Sequence, residues 1–278
     1  MTTFTIGGDT AVHRLGFGAM RITGAGVWGW PADRDAAKGV LKRAVELGVE
    51  LIDTADAYGP ETSEYLIAEA LHPYDGLTIA TKGGLERKGP GKWQSNGRPE
   101  HLTIACLNSL RRLEVDCIDL YQLHTVDDDV PLEESLGALA DLQKEGKIRH
   151  IGVSNMDLPQ LKRAREVVDV VSVQNRYNLA DRKHEDVVDY CTEHGIGFIP
   201  WFPLAAGDLV EHESFRQLAE QHDASAGQLA LAWLLKRSPV MLPIPGTSST
   251  AHLEQNVAAR DVTLSDEDFE ALSELAGG

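Results

Sequence analysis

The chain has 278 residues and a net charge of −17 at pH 7, because 43 acidic residues outnumber 26 basic ones. This acidic balance argues against nucleic acid and anionic membranes as partners. An apolar content of 42% is ordinary for a globular protein, and α/β barrels reach this length as one unit. We therefore expect a single domain that spans residues 1–278.

The three cysteines, Cys106, Cys117 and Cys191, lack the spacing of a metal site, and their odd number leaves no complete disulfide set. We expect reduced thiols and no bound metal. No basic segment precedes an apolar one at the N-terminus, and no run approaches the roughly 20 apolar residues that a transmembrane helix needs. These features predict a cytoplasmic protein, whereas the sequence gives no signal for its oligomeric state.

The first predicted element is a short hairpin, because Gly7-Gly8 forms a turn signal between Thr5-Ile6 and Ala11-Val12. Short apolar runs then alternate with longer amphipathic stretches, a pattern typical of an α/β (β/α)8 barrel. We expect the hairpin to cover the bottom of this barrel. The eight predicted strands are Leu15–Gly18, Val49–Asp53, Leu77–Thr81, Ile118–Leu123, Ile148–Val153, Val170–Gln174, Gly197–Trp201 and Val240–Ile244.

Amphipathic stretches between the strands predict the outer helices, and no linker or internal repeat divides them. The main predicted helices are Asp33–Leu47, Pro99–Leu113, Pro131–Lys144, Leu158–Val168, Lys183–His194, Gly227–Lys236 and Ser265–Leu275.

The longest stretches without periodicity are Arg21–Pro31 and Gly83–Arg98, after the first and third predicted strands. Loops of this length in a compact barrel are usually functional. They carry Trp28, Trp30 and Trp93, which we expect to line a substrate site. The loop Arg21–Pro31 also contains Gly24-Ala25-Gly26-Val27-Trp28-Gly29, which matches the glycine pattern of a dinucleotide-binding fold. Neither a good strand before it nor a helix after it is predicted, so we interpret this segment as a flexible loop.

Four polar residues lie at the predicted carboxyl ends of strands, where barrel enzymes keep their chemistry. Asp53 ends the second strand, Tyr58 follows on a turn, Lys82 follows the third strand and His124 the fourth. A carboxylate buried at a strand end needs a cationic partner, for which Lys82 is the candidate. We expect the Tyr–Lys–Asp group to lower the phenol pKa enough for general acid catalysis near neutrality.

This pattern resembles the aldo-keto reductase family from about Leu15 to Asn256, and most closely its bacterial pyridoxal-reductase-like members. The resemblance implies that Asp53, Tyr58, Lys82 and His124 form a catalytic tetrad for carbonyl reduction. The residue blocks that carry it, besides the tetrad, are Ala57-Tyr58-Gly59-Pro60, Glu69-Ala70-Leu71-His72-Pro73-Tyr74, Gly152-Val153-Ser154-Asn155, Val173-Gln174-Asn175, Trp201-Phe202-Pro203-Leu204 and Ile244-Pro245-Gly246-Thr247-Ser248.

The resemblance also implies a bound NADPH, whose nicotinamide would stack on Trp201 where most members have tyrosine. Phe202 replaces a common serine. Gly246 and His252 stand where many members place the lysine and arginine that grip the 2′-phosphate, so NADH is not excluded, and Arg21 and Arg237 are cations without an assigned place. The implied cofactor-binding residues are Ala19, Met20, Arg21, Asp53, Ser154, Asn155, Gln174, Trp201, Phe202, Pro203, Leu204, Ile244, Pro245, Gly246, Thr247, Ser248, His252, Gln255 and Asn256.

Two alternatives stay open at this point: a Schiff-base aldolase with Lys82 as nucleophile, and a cofactor-occupied regulatory subunit. As substrate we expect a small carbonyl compound, with a compact aromatic aldehyde such as pyridoxal preferred to sugars and steroids. Besides the two long loops, the segment Ala205–Glu213 is expected to shape its pocket.

Overall fold

The computed structural model describes residues 3–204 and 212–275. Seven parallel strands form one sheet in the order β11-β10-β9-β8-β5-β4-β3. A separate antiparallel hairpin, β1–β2, precedes the sheet, and a second one, β6–β7, interrupts its sequence. The strands are β1 (Thr3–Ile6), β2 (Thr10–His13), β3 (Phe17–Gly18), β4 (Leu51–Asp53), β5 (Thr78–Gly83), β6 (Leu85–Gly89), β7 (Lys92–Ser95), β8 (Ile118–Leu123), β9 (Ile148–Ser154), β10 (Val170–Gln174) and β11 (Gly197–Phe198).

Amphipathic helices cover the outside of the sheet and bury apolar side chains against it. Capping residues begin several of them: the Asp33 carboxylate accepts from the backbone N–H of Ala36, and Ser225 with Gln228 forms a capping box. The helices are α1 (Arg34–Glu46), α2 (Thr62–Leu71), α3 (Pro99–Leu113), α4 (Leu132–Lys144), α5 (Leu158–Val167), α6 (Glu185–His194), α7 (Glu213–Gln221), α8 (Ala226–Arg237), α9 (Thr250–Ala258) and α10 (Asp266–Leu275).

The segment predicted as the eighth strand, Val240–Ile244, forms no regular strand, and that prediction is wrong in this respect. It nevertheless bonds to both edges of the sheet. Phe198 N–H donates to the Val240 carbonyl at 2.9 Å, and Gly16 N–H donates to the Pro243 carbonyl at 2.9 Å. Pro243 has no N–H of its own, so a full ladder cannot form along this segment. The two edges, β11 and β3, are thus bridged by residues 240–244.

The predicted N-terminal hairpin is present, with β1 and β2 paired antiparallel. Its inward side chains, Ile6 and Val12, are fully buried in a cluster with Leu51, Ala80 and Leu120 from the strands of the sheet. The hairpin therefore closes the interior of the sheet at one end, as the sequence predicted.

The stretch 83–98, predicted to be a loop, contains the hairpin β6–β7 instead. Leu85 pairs with Ser95 and Arg87 pairs with Trp93. Gly89 and Gly91 adopt positive φ angles of 149° and 68° on either side of Pro90, a backbone that favours glycine in a tight turn. This second hairpin projects from the carboxyl end of β5.

None of the described helices is long and apolar enough to span a lipid bilayer. Cys106 and Cys191 are buried, Cys117 is exposed, and all three thiols are unpaired.

Candidate active site

A fully buried lysine organises the site. Lys82 lies within β5, because this strand ends at Gly83 and not at Thr81 as predicted, and 0% of the lysine side chain is exposed. Because β4 and β5 are adjacent, its Nζ reaches back to the end of β4 and donates to Asp53 Oδ2 at 2.7 Å and to the Thr54 carbonyl at 2.7 Å. A third, longer bond reaches Tyr58 Oη at 3.4 Å. The three donors of the ammonium are thereby all engaged.

The charge of Lys82 is stabilised by its neighbours. Burial alone would lower the pKa of the ammonium, but the adjacent Asp53 carboxylate and the Tyr58 oxygen outweigh it and the pKa is raised. Asp53 in turn accepts from two amides on its other oxygen: Gln174 Nε2 at 2.8 Å and Gln122 Nε2 at 3.2 Å. The pair is therefore a hydrogen-bonded salt bridge in the interior, locked in one arrangement.

Tyr58 stays a phenol across neutral pH. Burial raises its pKa above the ordinary value, and the Lys82 ammonium only partly opposes that rise. The sequence predicted a lowered pKa, which is wrong because the effect of burial outweighs that of the Lys82 ammonium. The protonated phenol is nevertheless the form that a general acid needs, and Lys82 lies where it would stabilise the phenolate left after proton donation.

His124 faces the tyrosine edge-on, with ring centroids 5.8 Å apart. Burial, and then the charge of Lys82, lower its pKa well below the usual range, so the imidazole is neutral. Its Nδ1 is buried and has no hydrogen-bond partner among the described residues. A neutral imidazole carries one N–H donor, which gives the site a second hydrogen-bond donor beside the phenol.

These residues open onto a cavity of about 730 Å³ at the carboxyl ends of the strands. It is lined by Gly18, Met20, Arg21, Val27, Asp53, Tyr58, Leu85, Trp93, His124, Ser154, Asn155, Gln174, Trp201, Phe202, Pro203, Leu204, Ile244 and Gly246.

A chain of hydrogen bonds fixes the part of the cavity wall formed by Ser154, Asn155 and Trp201. Trp201 Nε1 donates to Asn155 Oδ1 at 3.0 Å, and Asn155 Nδ2 donates to the His124 carbonyl at 2.9 Å. Ser154 Oγ donates to the Gln174 carbonyl at 2.7 Å. Asn155 adopts a left-handed backbone, with φ of 58°, that turns its amide toward this wall. The indole of Trp201 is thus held as a fixed face of the cavity.

The loop that follows residues 240–244 borders the cavity through Ile244 and Gly246 and then enters α9. Thr247 Oγ1 accepts from the Ser249 N–H at 3.0 Å, and Ser249 caps the helix. Free N–H groups at a helix start favour anions. The other residues expected in this region are Pro245, which is buried, Ser248, His252 and Gln255, which are exposed, and Asn256, whose buried Nδ2 has no partner among the described residues.

The absence of a side chain at Gly246 has a steric cause. A Cβ built on this residue would lie 2.4 Å from the Gly18 carbonyl oxygen, a backbone atom that cannot swing away. The Cγ of Arg21 would lie 3.6 Å from the same Cβ. The backbones at residues 18 and 246 thus pack too closely for the lysine that, by the resemblance, many family members have at this position.

Several predicted residues lie elsewhere than expected. Trp30 packs on Tyr65 and under the Arg34 guanidinium, and neither it nor Trp28 is among the described residues that line the cavity. Ala19 is fully buried. Arg237 forms ion pairs with Glu185 and Asp189, so it is not a spare cation. Most of the segment Ala205–Glu213 falls outside the described residues.

Four residues of the site were missed by sequence reasoning: Gly18, Val27 and Leu85, which line the cavity, and Gln122, which donates to Asp53. Gln122 is the penultimate residue of β8 and lies two positions before His124, on the same face by strand alternation, and this period-2 signal could have found it. Val27 and Leu85 lie in the two stretches predicted as loops, where the sequence shows no periodicity from which to infer side-chain direction.

Comparison with known proteins shows the family of this chain. The model of the Aldo/keto reductase family matches residues 14–276. The chain is 42% identical to pyridoxine 4-dehydrogenase of Escherichia coli over 282 residues, covering 99% of this chain and 97% of that protein. It is 51% identical over 268 residues to an uncharacterized oxidoreductase of Schizosaccharomyces pombe, covering 96% and 88% respectively.

Among solved structures, an aldo-keto reductase from Klebsiella pneumoniae in complex with NADPH superposes with a TM-score of 0.85 at 30% identity, covering 99% of this chain and 95% of that one. Glycerol dehydrogenase from Gluconobacter oxydans gives a TM-score of 0.86 at 28% identity, covering 98% and 94%. The chain belongs to the aldo/keto reductase family. It is accordingly an NAD(P)H-dependent oxidoreductase with the TIM-barrel fold of that family.

Proposed function

We propose that the protein catalyses the reversible reduction of aldehydes or ketones to alcohols with NADPH, and that residues 240–244 complete an eight-membered barrel around the site. The observation that carries the proposal is the buried Lys82–Asp53 ion pair, whose lysine also bonds to Tyr58. Tyr58 and the neutral His124 line the same cavity. Phenol and imidazole are two neutral donors side by side, the arrangement that an oxyanion developing on a carbonyl requires.

The residues present fit the cofactor. Cavity-lining Ser154, Asn155 and Gln174 offer hydroxyl and amide groups for a carboxamide, and the fixed indole of Trp201 offers a flat face for a ring. The start of α9 would receive phosphate. When bound, NADPH supplies the hydride that the carbonyl carbon accepts.

Residues of the chain donate the proton and stabilise the charge that is left. Tyr58 donates a hydrogen bond and then its proton to the carbonyl oxygen, as negative charge builds there. Lys82 stabilises the resulting phenolate, and Asp53 with its two amide partners keeps Lys82 charged and in place. His124 donates a second hydrogen bond that positions the oxygen.

The aldolase alternative is disfavoured by the state of Lys82. An amine that forms a Schiff base must lose its proton and reach the substrate. Here the ammonium is fully buried, donates to three oxygens and has a raised pKa. Sustained turnover with NADPH distinguishes the enzyme from a regulatory subunit of the same fold.

As substrate we propose a compact aromatic aldehyde, with pyridoxal the first to test. The cavity presents the rings of Trp93 and Trp201, which favour stacking on a flat molecule. The E. coli relative, named pyridoxine 4-dehydrogenase, supports the same class of compound. A sugar would need polar partners for many hydroxyls, and the apolar part of the lining provides few.

The proposal is tested by following NADPH oxidation with pyridoxal, benzaldehyde, glucose and a ketosteroid. We expect kcat/KM to be highest for one of the two aromatic aldehydes. A higher value for glucose or the steroid would contradict the proposed substrate class. No NADPH oxidation with any carbonyl compound would contradict the proposed activity itself.

The Trp201→Phe variant should lose much of the quenching of tryptophan fluorescence that NADPH binding causes, because the indole proposed to stack on the nicotinamide is removed. Binding itself should persist, since phenylalanine retains a flat face. The matched control is Trp30→Phe, which removes an indole outside the cavity and should leave the quenching intact. An undiminished quench in Trp201→Phe would remove this residue from the cofactor site.

Introducing the lysine that many family members have, by Gly246→Lys, should destabilise the protein rather than tighten NADPH binding. The new Cβ would collide with the Gly18 carbonyl, and overpacking of this kind costs about 1–3 kcal/mol. Thermal unfolding and a cofactor titration measure both effects. The control is Ser248→Lys, on an exposed residue two positions away, which should leave Tm unchanged. If Gly246→Lys bound NADPH more tightly and kept full stability, the steric explanation would be refuted.

The rate of carbonyl reduction should stay flat across neutral pH and fall only above pH 10, because burial raises the pKa of Tyr58 above its ordinary value of 10.0. Below that pKa the phenol carries the proton that it donates. A profile of kcat/KM against pH measures this directly. A fall in the reduction rate between pH 6 and pH 8, near the ordinary pKa of a histidine rather than a tyrosine, would assign proton donation to another group.

A further inference from the structure

The roof of the cavity consists of the loop at residues 24–31 and the hairpin β6–β7, both of which contribute lining side chains. Val27 comes from the loop, and Leu85 and Trp93 come from the hairpin. A short hairpin standing alone is marginally stable, so contacts with the rest of the protein must hold it over the site.

One side chain, Arg87, joins the two parts of the roof. Its guanidinium donates to the carbonyls of Val27 at 2.7 Å and Gly26 at 3.1 Å, both in the loop. It also donates at 2.9 Å to the carbonyl of Ala57, the residue before Tyr58. A single group on the hairpin thus bonds to the loop and to the turn that carries the proposed acid.

The same guanidinium fixes the aromatic part of the roof. Its central carbon lies 3.7 Å from the ring centroid of Trp93 and 5.6 Å from that of Trp28. Trp93 meets Tyr58 edge-on, with centroids 6.4 Å apart. One face of Trp93 is therefore covered by Arg87, while the ring remains 40% exposed and lines the cavity.

Arg87 has no carboxylate partner among the described residues, so an ion pair does not explain its place. Its contacts are with three carbonyl oxygens and two indole rings. A planar fork of five donors that also stacks on aromatic faces can make them all at once. Lysine, a point charge on a flexible stem, cannot.

We infer that Arg87 is a positioning residue that holds the open face of Trp93 against the cavity and thereby sets the preference for flat aromatic aldehydes. The inference rests on the proposed function, in that the carbonyl is taken to bind beside Tyr58. An aromatic ring stacks on the open indole face while its carbonyl reaches the phenol. A small aliphatic aldehyde has no ring to place there and gains nothing from the roof.

The test compares benzaldehyde with propanal in Arg87→Met and Arg87→Lys. In both variants we expect KM for benzaldehyde to rise about tenfold, the size of one aromatic contact, with kcat and KM for propanal within about twofold of the parent. The matched control is Arg34→Met, which removes a guanidinium 3.8 Å over the ring of Trp30, outside the cavity. It should leave both aldehydes unchanged.

An equal fall in kcat/KM for both aldehydes in the Arg87 variants would overturn the inference, because Arg87 would then act through Tyr58 or through stability. Full activity of Arg87→Lys on benzaldehyde would overturn it as well, since charge alone would suffice. Failure of the parent protein to reduce either aldehyde is a different result, which would reject the proposed function.

Discussion

The Tyr58→Phe variant is expected to bind NADPH with nearly unchanged affinity and to lose carbonyl reduction by several orders of magnitude. The substitution removes one oxygen at the rim of the cavity and leaves the ring, with its edge-on contacts to His124 and Trp93. General acid catalysis supplies about 10²–10⁴-fold, and the lost hydrogen bond to the developing oxyanion adds to this. Steady-state rates and a cofactor titration measure the two quantities separately.

A matched control for this variant is Tyr65→Phe, which removes a phenol oxygen from a half-exposed ring that packs on Trp30 outside the cavity. It should retain the parental rate. Reduction of the best aldehyde by Tyr58→Phe at close to the parental rate would mean that another group donates the proton.

The Lys82→Met variant is expected to lose both activity and stability. Without the ammonium nothing opposes the effect of burial and of the Asp53 charge on Tyr58, so the pKa of the phenol rises further and the phenolate is no longer stabilised. We expect a rate loss of about 10²–10⁴-fold. Removing one partner of a buried ion pair also costs about 3–5 kcal/mol of unfolding free energy, which denaturant unfolding would detect.

The double variant Lys82→Met with Asp53→Asn separates these two effects. Asparagine removes the unpaired carboxylate, so the double variant should recover much of the lost stability but none of the lost rate. Recovery of the rate together with the stability would show that Lys82 supports only the fold.

The sequence predicted most strands of the sheet within one or two residues, because buried parallel strands read as apolar runs. It failed at Val240–Ile244, where the apolar run is genuine but Pro243 removes a donor that a ladder needs. It also failed at β6–β7, where most residues are polar and all but Gly89 are partly or fully exposed, so that hydrophobic alternation gives no signal.

The composition of the site could be anticipated better than its electrostatics. The ends of successive strands bring Asp53, Lys82 and His124 together whatever the loops do, and the structure shows them in contact or close by. Whether the pKa of a phenol rises or falls depends on the balance between burial and a nearby charge. For Tyr58 that balance depends on how deeply the ring is buried and how close Lys82 lies, and the sequence shows neither.

Loop side chains were the least predictable part. No feature of the sequence distinguished Trp28, Trp30 and Trp93 from one another. Of these three, Trp93 alone is among the described residues that line the cavity. Arg87 stacks on Trp93 and bonds to the carbonyls of residues 26, 27 and 57. These bonds to carbonyls join segments about 30 to 60 residues apart, and no local pattern encodes them.

The central claim is that the protein transfers hydride from NADPH to a carbonyl carbon while Tyr58 supplies the proton. The most direct measurement is a single turnover with NADPH that carries deuterium at both C4 positions and an aromatic aldehyde, followed by mass analysis of the alcohol. The parent protein should place deuterium on the carbinol carbon, and Tyr58→Phe should bind the same cofactor yet form almost no labelled alcohol. Unlabelled product from the parent, or equal labelling by both proteins, would contradict this account.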